Sequence, residues 1–319
     1  MSKSADRYNG DSLISLQKRF VSAAFILLLF FLCLAQALTE ENSKTRAEVQ
    51  KVIEYPGDSG MTEELYPLRI MLEQLLYGQE GTWSIYIKDL ETDEELSMNH
   101  QEMYAASLIK LFVMEKTYED YDTVLENDME YTGDLSQSQK KIVDLLTDMI
   151  QISDNEAFNE LVRLQNNKER SFSEGCEELN DWLETEGYED TGIYHTLEPS
   201  PSEEEEISEE KNHTSARDCG HLLEAIYRGE AVSQTASSDM LMLLLGQERD
   251  SKIPAGVPEH ISVANKTGET DSCQHDAAIV FGESGDYILC VMSEGLTDTE
   301  AAAALIQEIS AEVYAWMEQ

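Results

Sequence analysis

The spacing of apolar residues sets one long uncharged run apart from the rest of the chain. Phe20 to Leu38 comprises 19 residues without a charge, which is enough to cross the hydrocarbon core of a bilayer as a helix. Lys18-Arg19 precedes the run and Glu40-Glu41 follows it. The positive-inside rule therefore predicts that residues 1–19 are cytoplasmic and that the chain after residue 38 lies outside the cell membrane. The run is either a transmembrane anchor or, if Ala35-Gln36-Ala37 is a processing site, a cleaved signal segment.

Beyond the apolar run, a polar linker leads into a region of mixed periodicity. Residues 39–61 contain Pro56-Gly57 and Ser59-Gly60, which is typical of a linker. Between residues 62 and 319, apolar spacing predicts helices over 64–76, 107–118, 138–152, 155–164, 177–186, 218–227, 237–245 and 299–317. Alternation predicts strands over 83–90, 95–98, 261–266, 277–281 and 287–293. Because the strands come from both ends and the helices largely from the middle, the predicted fold class is α+β.

Charge narrows the classes of partner. The net charge is -42, and Ser200 to Lys211 is a run dominated by glutamate that is typical of a solvated loop. Such a protein is repelled by nucleic acid and by anionic lipid, so nucleic-acid binding is excluded. The charge favours solubility, with attraction of cationic molecules as the alternative.

The cysteines do not indicate a metal or redox centre. Cys33 lies in the apolar run, whereas Cys176, Cys219, Cys273 and Cys290 lie in the predicted outer region. No C-x-x-C pair is present in the sequence. The four outer cysteines are either disulfide partners, which an oxidising compartment permits, or small buried apolar residues.

Ser107 and Lys110 form the first candidate for chemistry. Ser107 begins a predicted helix, where unpaired N–H groups stabilise an oxyanion. Lys110 comes three residues later and lies on the same helical face. A serine hydroxyl is a weak nucleophile until a neighbour takes its proton, and a desolvated lysine can do so. Alone, this S-x-x-K pattern is also compatible with a helix cap followed by a surface lysine.

Two further motifs change the interpretation. Ser153-Asp154-Asn155 lies between two predicted helices, and Lys266-Thr267-Gly268 ends a predicted strand. S-x-x-K, S-D-N and K-T-G in this order resemble the signature of class A β-lactamases and other penicillin-recognising serine hydrolases. Ser251 to Pro258, Asn212 to Asp218 and His275 to Val280 also resemble segments of class A enzymes. The resemblance covers about residues 65–317 and implies an antiparallel sheet flanked by helices, with an all-helical subdomain.

The resemblance implies an acyl-enzyme mechanism. Ser107 would attack an amide carbonyl, and Lys110 would help to remove the proton of its hydroxyl. Ser153 would relay a proton to the leaving nitrogen, with Lys266 beside it. The backbone N–H groups of Ser107 and Glu269 would form the oxyanion hole.

The resemblance also implies how a substrate is held. Asn155 would bind a substrate amide, Thr267 would hydrogen-bond the substrate carboxylate, and Gly268 would line the same strand. The expected substrate is a small β-lactam or a cell-wall peptide. No metal or organic cofactor is implied, and the sequence does not indicate an oligomeric state.

Two features depart from the class A pattern. Leu197-Glu198-Pro199 resembles the start of the omega-loop motif whose glutamate activates the deacylating water, but Ser202 stands where asparagine is expected. Glu198 is therefore either the deacylating base or a loop carboxylate without a role. The region of the K-T-G strand offers His275 and no arginine for a substrate carboxylate. Glu269 and Asp271 there are expected to oppose an anionic substrate.

Three functions follow as alternatives. The first is a membrane-tethered β-lactamase that confers antibiotic resistance, acylated at Ser107 and deacylated through Glu198. The second is a DD-peptidase or penicillin-binding hydrolase that acts on cell-wall peptides. The third is a surface binding domain without turnover, which the complete set of acylation residues disfavours.

Overall fold

The computed structural model describes residues 65–166, 170–197 and 210–319. The strands within these ranges are β1 Thr82–Asp89, β2 Glu95–Met98, β3 Met103–Tyr104, β4 His213–Thr214, β5 Ser262–Thr270, β6 Cys273–Phe281 and β7 Asp286–Glu294. The α-helices are α1 Tyr66–Leu76, α2 Lys110–Glu119, α3 Tyr121–Thr132, α4 Leu135–Thr147, α5 Asn155–Gln165, α6 Phe172–Glu186, α7 Ala216–Arg228, α8 Gln234–Leu245 and α9 Thr299–Met317. Short helical segments are the 3-10 helices Ala106–Ile109 and Pro254–Gly256 and the π-helical turn Asp148–Ile152.

Five strands form one antiparallel sheet in the order β2-β1-β7-β6-β5. β1, from the start of the described chain, pairs with β7, near its end, with Tyr86 opposite Cys290. This pairing confirms the predicted α+β class, in which both ends of the domain build the sheet. β5 has a strand neighbour on one side and so forms an edge, and it is the strand that carries Lys266-Thr267-Gly268.

Both faces of the sheet are covered, because alternate residues of the central strands belong to two different apolar clusters. In β1, Ile85 and Ile87 pack with α1 and α9, whereas Tyr86 packs with the helices on the opposite face. The second face is covered by α7 and α8, and the apolar residues of α2 to α6, which form the helical subdomain, continue the same apolar cluster. The strands therefore carry apolar residues at nearly every position, as expected for a sheet that is buried on both sides.

α7 lies close against the sheet at a glycine. A Cβ on Gly220 would come within 2.2 Å of the ring of Tyr86 in β1. No side chain fits this gap, since even the smallest one would overlap the ring. The close approach fixes the helix on the face of the sheet from which the helical subdomain extends.

One helix and one small sheet are absent from the sequence-based prediction. α3 buries few apolar residues, and its Asn127 and Asp128 are held by Leu164 O at 2.8 Å and by Lys141 Nζ at 2.6 Å. These contacts come from distant parts of the chain, so apolar spacing does not signal them. The pairing of β3 with β4 spans only two residues on each side, which is too short for a periodic pattern.

Three predicted helices differ clearly from the structure. α6, predicted over 177–186, starts at Phe172 because the side chain of Ser171 caps it by accepting the N–H of Glu174. The helix predicted from Ser107 begins as a 3-10 turn and becomes α-helical at Lys110. The helix predicted over 138–152 starts earlier, at Leu135, because Asp134 caps it, and widens into a π-helical turn over Asp148–Ile152.

The predicted cytoplasmic segment 1–19, apolar segment 20–38 and linker 39–61 lie outside the described residues. No helix within the described ranges has the length and apolar character needed to cross a bilayer. Cys176, Cys219, Cys273 and Cys290 are all buried, and no disulfide joins them within the described residues, so of the two alternatives for them the structure shows small buried residues.

Candidate active site

Ser107 lies in a short, tightly constrained turn between β3 and α2. The preceding residue, Ala106, has φ of 45°, which is the left-handed region that residues other than glycine seldom occupy. Ala105 donates its N–H to Asn212 O at 3.0 Å, which ties this turn to the segment before β4. Ser107 is half-buried between the buried Ala106 and Leu108. The turn therefore presents the serine hydroxyl at the edge of the core.

Lys110 is fully buried, and its side-chain nitrogen joins two of the predicted motifs. Its Nζ lies 3.2 Å from Ser107 Oγ. It also donates to Ser153 O at 2.7 Å and to Asn155 Oδ1 at 2.6 Å, and lies 3.2 Å from Ser153 Oγ. The S-x-x-K and S-D-N motifs thus meet at one nitrogen atom. Proton exchange between the two serine hydroxyls through this nitrogen requires no change in their positions.

The Ser153-Asp154-Asn155 motif is a sharp turn between the π-helical segment and α5. Ser153 has φ of 61° and ψ of 39°, a left-handed conformation that breaks the helical course. Asp154 then caps α5 by accepting the N–H of Ala157 at 2.7 Å. The capping function belongs to Asp154, which leaves the hydroxyl of Ser153 to contact the two lysines of the site.

Lys266 approaches Ser153 from the opposite side. Its Nζ lies 2.9 Å from Ser153 Oγ and donates to Thr267 O at 2.9 Å. Burial lowers the pKa of Lys266 well below its ordinary value, and the positive charges of Lys110 and Arg249 lower it further. Ser153 Oγ therefore lies between two lysine nitrogens, one of which favours the neutral amine. A hydroxyl in this position can give a proton to one side and receive a proton from the other.

Gly268 allows β5 to pass close to the Ser107 turn. A Cβ at this position would lie 3.3 Å from Ala105 O, 3.3 Å from Ala106 Cβ and 3.1 Å from His275 Cδ2. These separations are shorter than ordinary van der Waals contacts. The glycine of the K-T-G motif therefore sets the distance between the edge strand and the serine.

The site thus combines a half-exposed serine, two buried lysines and a second serine in one hydrogen-bonded group. A sequence model described as the β-lactamase enzyme family matches residues 67–317. The chain belongs to the β-lactamase enzyme family. Comparison with curated protein sequences finds no match.

Solved structures place the same fold among β-lactamases and the protein PBP-A. PBP-A is 25% identical, with a TM-score of 0.64 over 80% of this chain and 97% of its own. A β-lactamase from Sphaerobacter thermophilus is 21% identical, with a TM-score of 0.63 over 80% of this chain and 98% of its own. The TLA-1 extended-spectrum β-lactamase is 16% identical, with a TM-score of 0.66 over 81% of this chain and all of its own. The β-lactamase/transpeptidase-like fold is therefore established.

His275 has a different role in this β-lactamase fold from the one considered from the sequence. It is not an exposed group near the substrate: it is fully buried in β6. Its Nδ1 accepts the N–H of Ser293 at 3.1 Å, so its Nε2 carries the proton that it donates to Tyr104 O at 2.9 Å. Burial lowers the pKa of His275 to about 4. The neutral ring fixes the chain before Ser107 to the sheet and cannot bind a substrate carboxylate.

An arginine absent from the sequence-based prediction lies beside the K-T-G strand. Arg249 forms an ion pair with Glu269, and Lys252 Nζ lies 3.3 Å from the other carboxylate oxygen of Glu269. Burial raises the pKa of Glu269, but Lys252 and Arg249 outweigh that effect and hold it below its ordinary value. Glu269, which the sequence predicts to oppose an anionic substrate, is therefore paired with two cations in this structure. Asp271 is exposed in the turn between β5 and β6.

Asn159 is a second residue that the sequence-based prediction missed. It is fully buried in α5, donates its Nδ2 to Leu197 O at 3.1 Å and accepts the N–H of Leu197 at 3.0 Å. Glu198 itself lies outside the described residues. Asn159 follows Asn155 by four positions and so lies on the same helical face. That spacing was the available signal for a residue that fixes the start of the omega-loop motif.

Proposed function

We propose that this protein is a serine hydrolase that opens β-lactam amide bonds through an acyl-enzyme on Ser107. The observation that carries the proposal is the contact of one buried lysine nitrogen, Lys110 Nζ, with both Ser107 Oγ and Ser153 Oγ at 3.2 Å. Family membership supports a hydrolase of β-lactam-like amides, and the site contains the groups that this reaction needs.

In the proposed acylation step, Ser107 Oγ attacks the lactam carbonyl as its proton passes to Lys110. The Ser107–acyl bond forms and the lactam C–N bond breaks, and the leaving nitrogen takes a proton from Ser153. Lys110 passes the proton that it took from Ser107 on to Ser153, so both lysines end the step as they began it, with Lys266 beside Ser153 on the other side. Asn155 and Thr267 hold the amide and the carboxylate of the substrate, and the N–H groups of Ser107 and Glu269 stabilise the oxyanion.

In the proposed release step, Glu198 activates a water that hydrolyses the acyl group. Asn159 supports this proposal because its two hydrogen bonds hold Leu197, the residue directly before Glu198. Hydrolysis of the ester returns Ser107 to its free hydroxyl and completes turnover.

The second candidate function is a DD-peptidase or penicillin-binding hydrolase that acts on cell-wall peptides. Two observations favour it: Ser202 replaces the asparagine expected in the omega-loop motif, and the chain is 25% identical to PBP-A. A mutant of PBP-A has been solved as an acyl-enzyme complex with penicillin G. An enzyme of this kind is acylated in the same way but releases penicillin slowly.

Nitrocefin turnover and labelling by a fluorescent penicillin distinguish these candidates. The variants are Ser107→Ala and Glu198→Ala, with Ser238→Ala on the exposed face of α8 as the matched serine control. Steady turnover that is lost in both site variants supports the β-lactamase. A stoichiometric burst that needs Ser107 but not Glu198 supports the penicillin-binding alternative. Absence of both labelling and nitrocefin turnover in the unmodified protein would refute both candidates and favour the surface binding domain without turnover.

We also propose that the hydrolase domain acts outside the cell membrane, held by residues 20–38 as a single-pass anchor or released if that segment is cleaved. The uncharged run and the charges on either side of it support this proposal. Protease treatment of intact cells tests the orientation, since the domain is degraded only if it is exposed. The minimal inhibitory concentration of penicillins in cells that express the protein tests for antibiotic resistance.

A further inference from the structure

The ion pair of Arg249 and Glu269 lies where a substrate carboxylate is expected to bind. Side chains alternate between the faces of a strand, so Thr267 and Glu269 in β5 lie on the same face. Under the proposed function Thr267 contacts the substrate carboxylate. The side chain of Glu269 therefore brings a carboxylate of the protein itself to the side of the strand that receives the carboxylate of the substrate.

Arg249 is fixed in this position by the elements that frame the site. Gln247 Nε2 donates to Ile150 O at 2.8 Å in the π-helical turn, and Arg249 donates its backbone N–H to Gln247 Oε1 at 3.0 Å. The backbone oxygen of Arg249 accepts from Asn265 Nδ2 of β5 at 3.4 Å. The backbone of Arg249 is thus anchored between the turn before Ser153 and the strand that carries Lys266, whereas its side chain is 46% exposed.

Lys252 differs from Arg249 in how far it can respond to a ligand. Its side chain is only 2% exposed, and its Nζ donates to His275 O at 3.0 Å and to Gly268 O at 3.3 Å. It is therefore a fixed part of the strand interior. Arg249 is the exposed member of the cluster, and its guanidinium can exchange one carboxylate partner for another without a change in the backbone.

We propose that Glu269 gates Arg249, so that the pair sets how readily the site accepts anionic acyl substrates. The carboxylate of Glu269 binds the guanidinium group in the free protein, and a substrate carboxylate must displace it to gain the same contact. The inference rests on the proposed function and adds a specificity-determining pair to it. It explains how a site that contains a glutamate beside the oxyanion hole remains compatible with a carboxylate on the substrate.

The size of the effect follows from the exposure of the pair. An ion pair at a solvent-exposed position contributes up to about 1 kcal/mol, which is roughly fivefold in an equilibrium. Glu269→Gln removes the competing charge while it keeps the length of the side chain and the backbone N–H. We therefore expect this variant to raise the preference for an anionic over a neutral substrate roughly fivefold.

The test compares acylation of Ser107 by benzylpenicillin with acylation by its uncharged methyl ester. Second-order acylation rate constants are measured by mass spectrometry of the intact protein for the unmodified chain, Glu269→Gln, Arg249→Gln and the double variant. Glu312→Gln, an exposed site on α9, is the matched control for the change in net charge. The ratio of the two rate constants cancels any general loss of activity in a variant.

The proposal predicts that Glu269→Gln raises the ratio of anion to ester roughly fivefold, and that the added Arg249→Gln change removes the gain. Arg249→Gln alone is expected to change the ratio little, because in the unmodified protein Glu269 already occupies the guanidinium group of Arg249. An unchanged or lower ratio in Glu269→Gln overturns the gate, as does an equal loss from Arg249→Gln in both backgrounds. Absence of both acyl-enzyme and hydrolysed product with either compound in every variant overturns the proposed function and the gate with it.

Discussion

Glu115 is a buried carboxyl group whose ionisation opposes folding. It lies in α2, the helix that starts at Lys110, and is 6% exposed. Its pKa is raised from the ordinary 4.5 to about 7, chiefly by burial. The hydrogen bond from Tyr188 OH at 2.8 Å opposes this rise, and the charges of Glu186 and Glu119 add to it. The folded protein therefore keeps a proton on Glu115 at a pH where the unfolded chain has lost it.

The sign and size of the effect follow from this difference. Between pH 4.5 and about 7 the folded state binds more protons at this position, so the free energy of unfolding falls as the pH rises. Each pKa unit corresponds to about 1.4 kcal/mol, which gives a loss of about 3 kcal/mol that is complete above pH 7. Glu115→Gln keeps an acceptor for Tyr188 and cannot ionise. We expect it to be about 3 kcal/mol more stable than the unmodified protein at pH 8, and similar in stability near pH 4.

Urea unfolding followed by tryptophan fluorescence measures this difference, because Trp182 lies beside Tyr188. The measurement is made at several values between pH 4 and pH 8, and the quantity of interest is the difference between variant and unmodified protein. That difference cancels the other pH-dependent groups, among them the many surface carboxylates. Glu126→Gln, at an exposed position in α3, is the control and should give a constant difference. Parallel curves for Glu115→Gln and the unmodified protein would refute the reasoning.

Three further predictions concern the site and its supports. Asn159→Ala removes both hydrogen bonds to Leu197. Release of the acyl group is therefore expected to slow roughly tenfold or more while the acylation burst persists. Pre-steady-state nitrocefin kinetics measure both phases. Gly268→Ala places a methyl group against Ala105 O and should lower the acylation rate constant roughly tenfold or more. An unchanged midpoint of thermal unfolding in this variant would show that the loss is not a folding defect. Buried His275 stays neutral down to about pH 4, whereas the histidine of the unfolded chain gains a proton near pH 6.5. The protein should therefore lose about 3 kcal/mol of stability as the pH falls from 6.5 to 4. Thermal unfolding at several pH values should show a weaker dependence of stability on pH in His275→Gln.

The parts of the fold that the sequence predicted are those in which local pattern and tertiary structure agree. α9 has the predicted bounds, Thr299–Met317, because its larger apolar residues repeat with the helical period, and Leu305, Ile306, Ile309 and Val313 are buried in the cluster on one face of the sheet. β2, Glu95–Met98, also has the predicted bounds, and it follows a turn in which Asp89 accepts two backbone N–H groups. β5 and β6 are longer than predicted, since Thr267 to Thr270 and Cys273 to Asp276 extend their ladder with polar residues.

The motifs of the site were predictable for a different reason. Ser107, Ser153 and Lys266 come from three separate parts of the chain, and nothing local in the sequence indicates that they meet. The order of the three motifs allowed the prediction, and the structure places their side chains within hydrogen-bonding distance through Lys110. Arg249 belongs to no such motif. Its position beside Glu269 depends on how the segment before Lys252 packs between the π-helical turn and β5.

The arrangement around Ser153 has a consequence for how acylation depends on pH. Lys110 Nζ and Lys266 Nζ lie 3.2 Å and 2.9 Å from the same hydroxyl oxygen. Two ammonium groups this close in a buried site repel one another, so the protonation of each depends on the other. Lys110 faces two oxygens that can only accept, Ser153 O and Asn155 Oδ1, whereas burial and the charge of Lys110 lower the pKa of Lys266. Under the proposed function, the pH profile of acylation therefore reports the ionisation of the two lysines together, and an apparent pKa taken from it belongs to the pair.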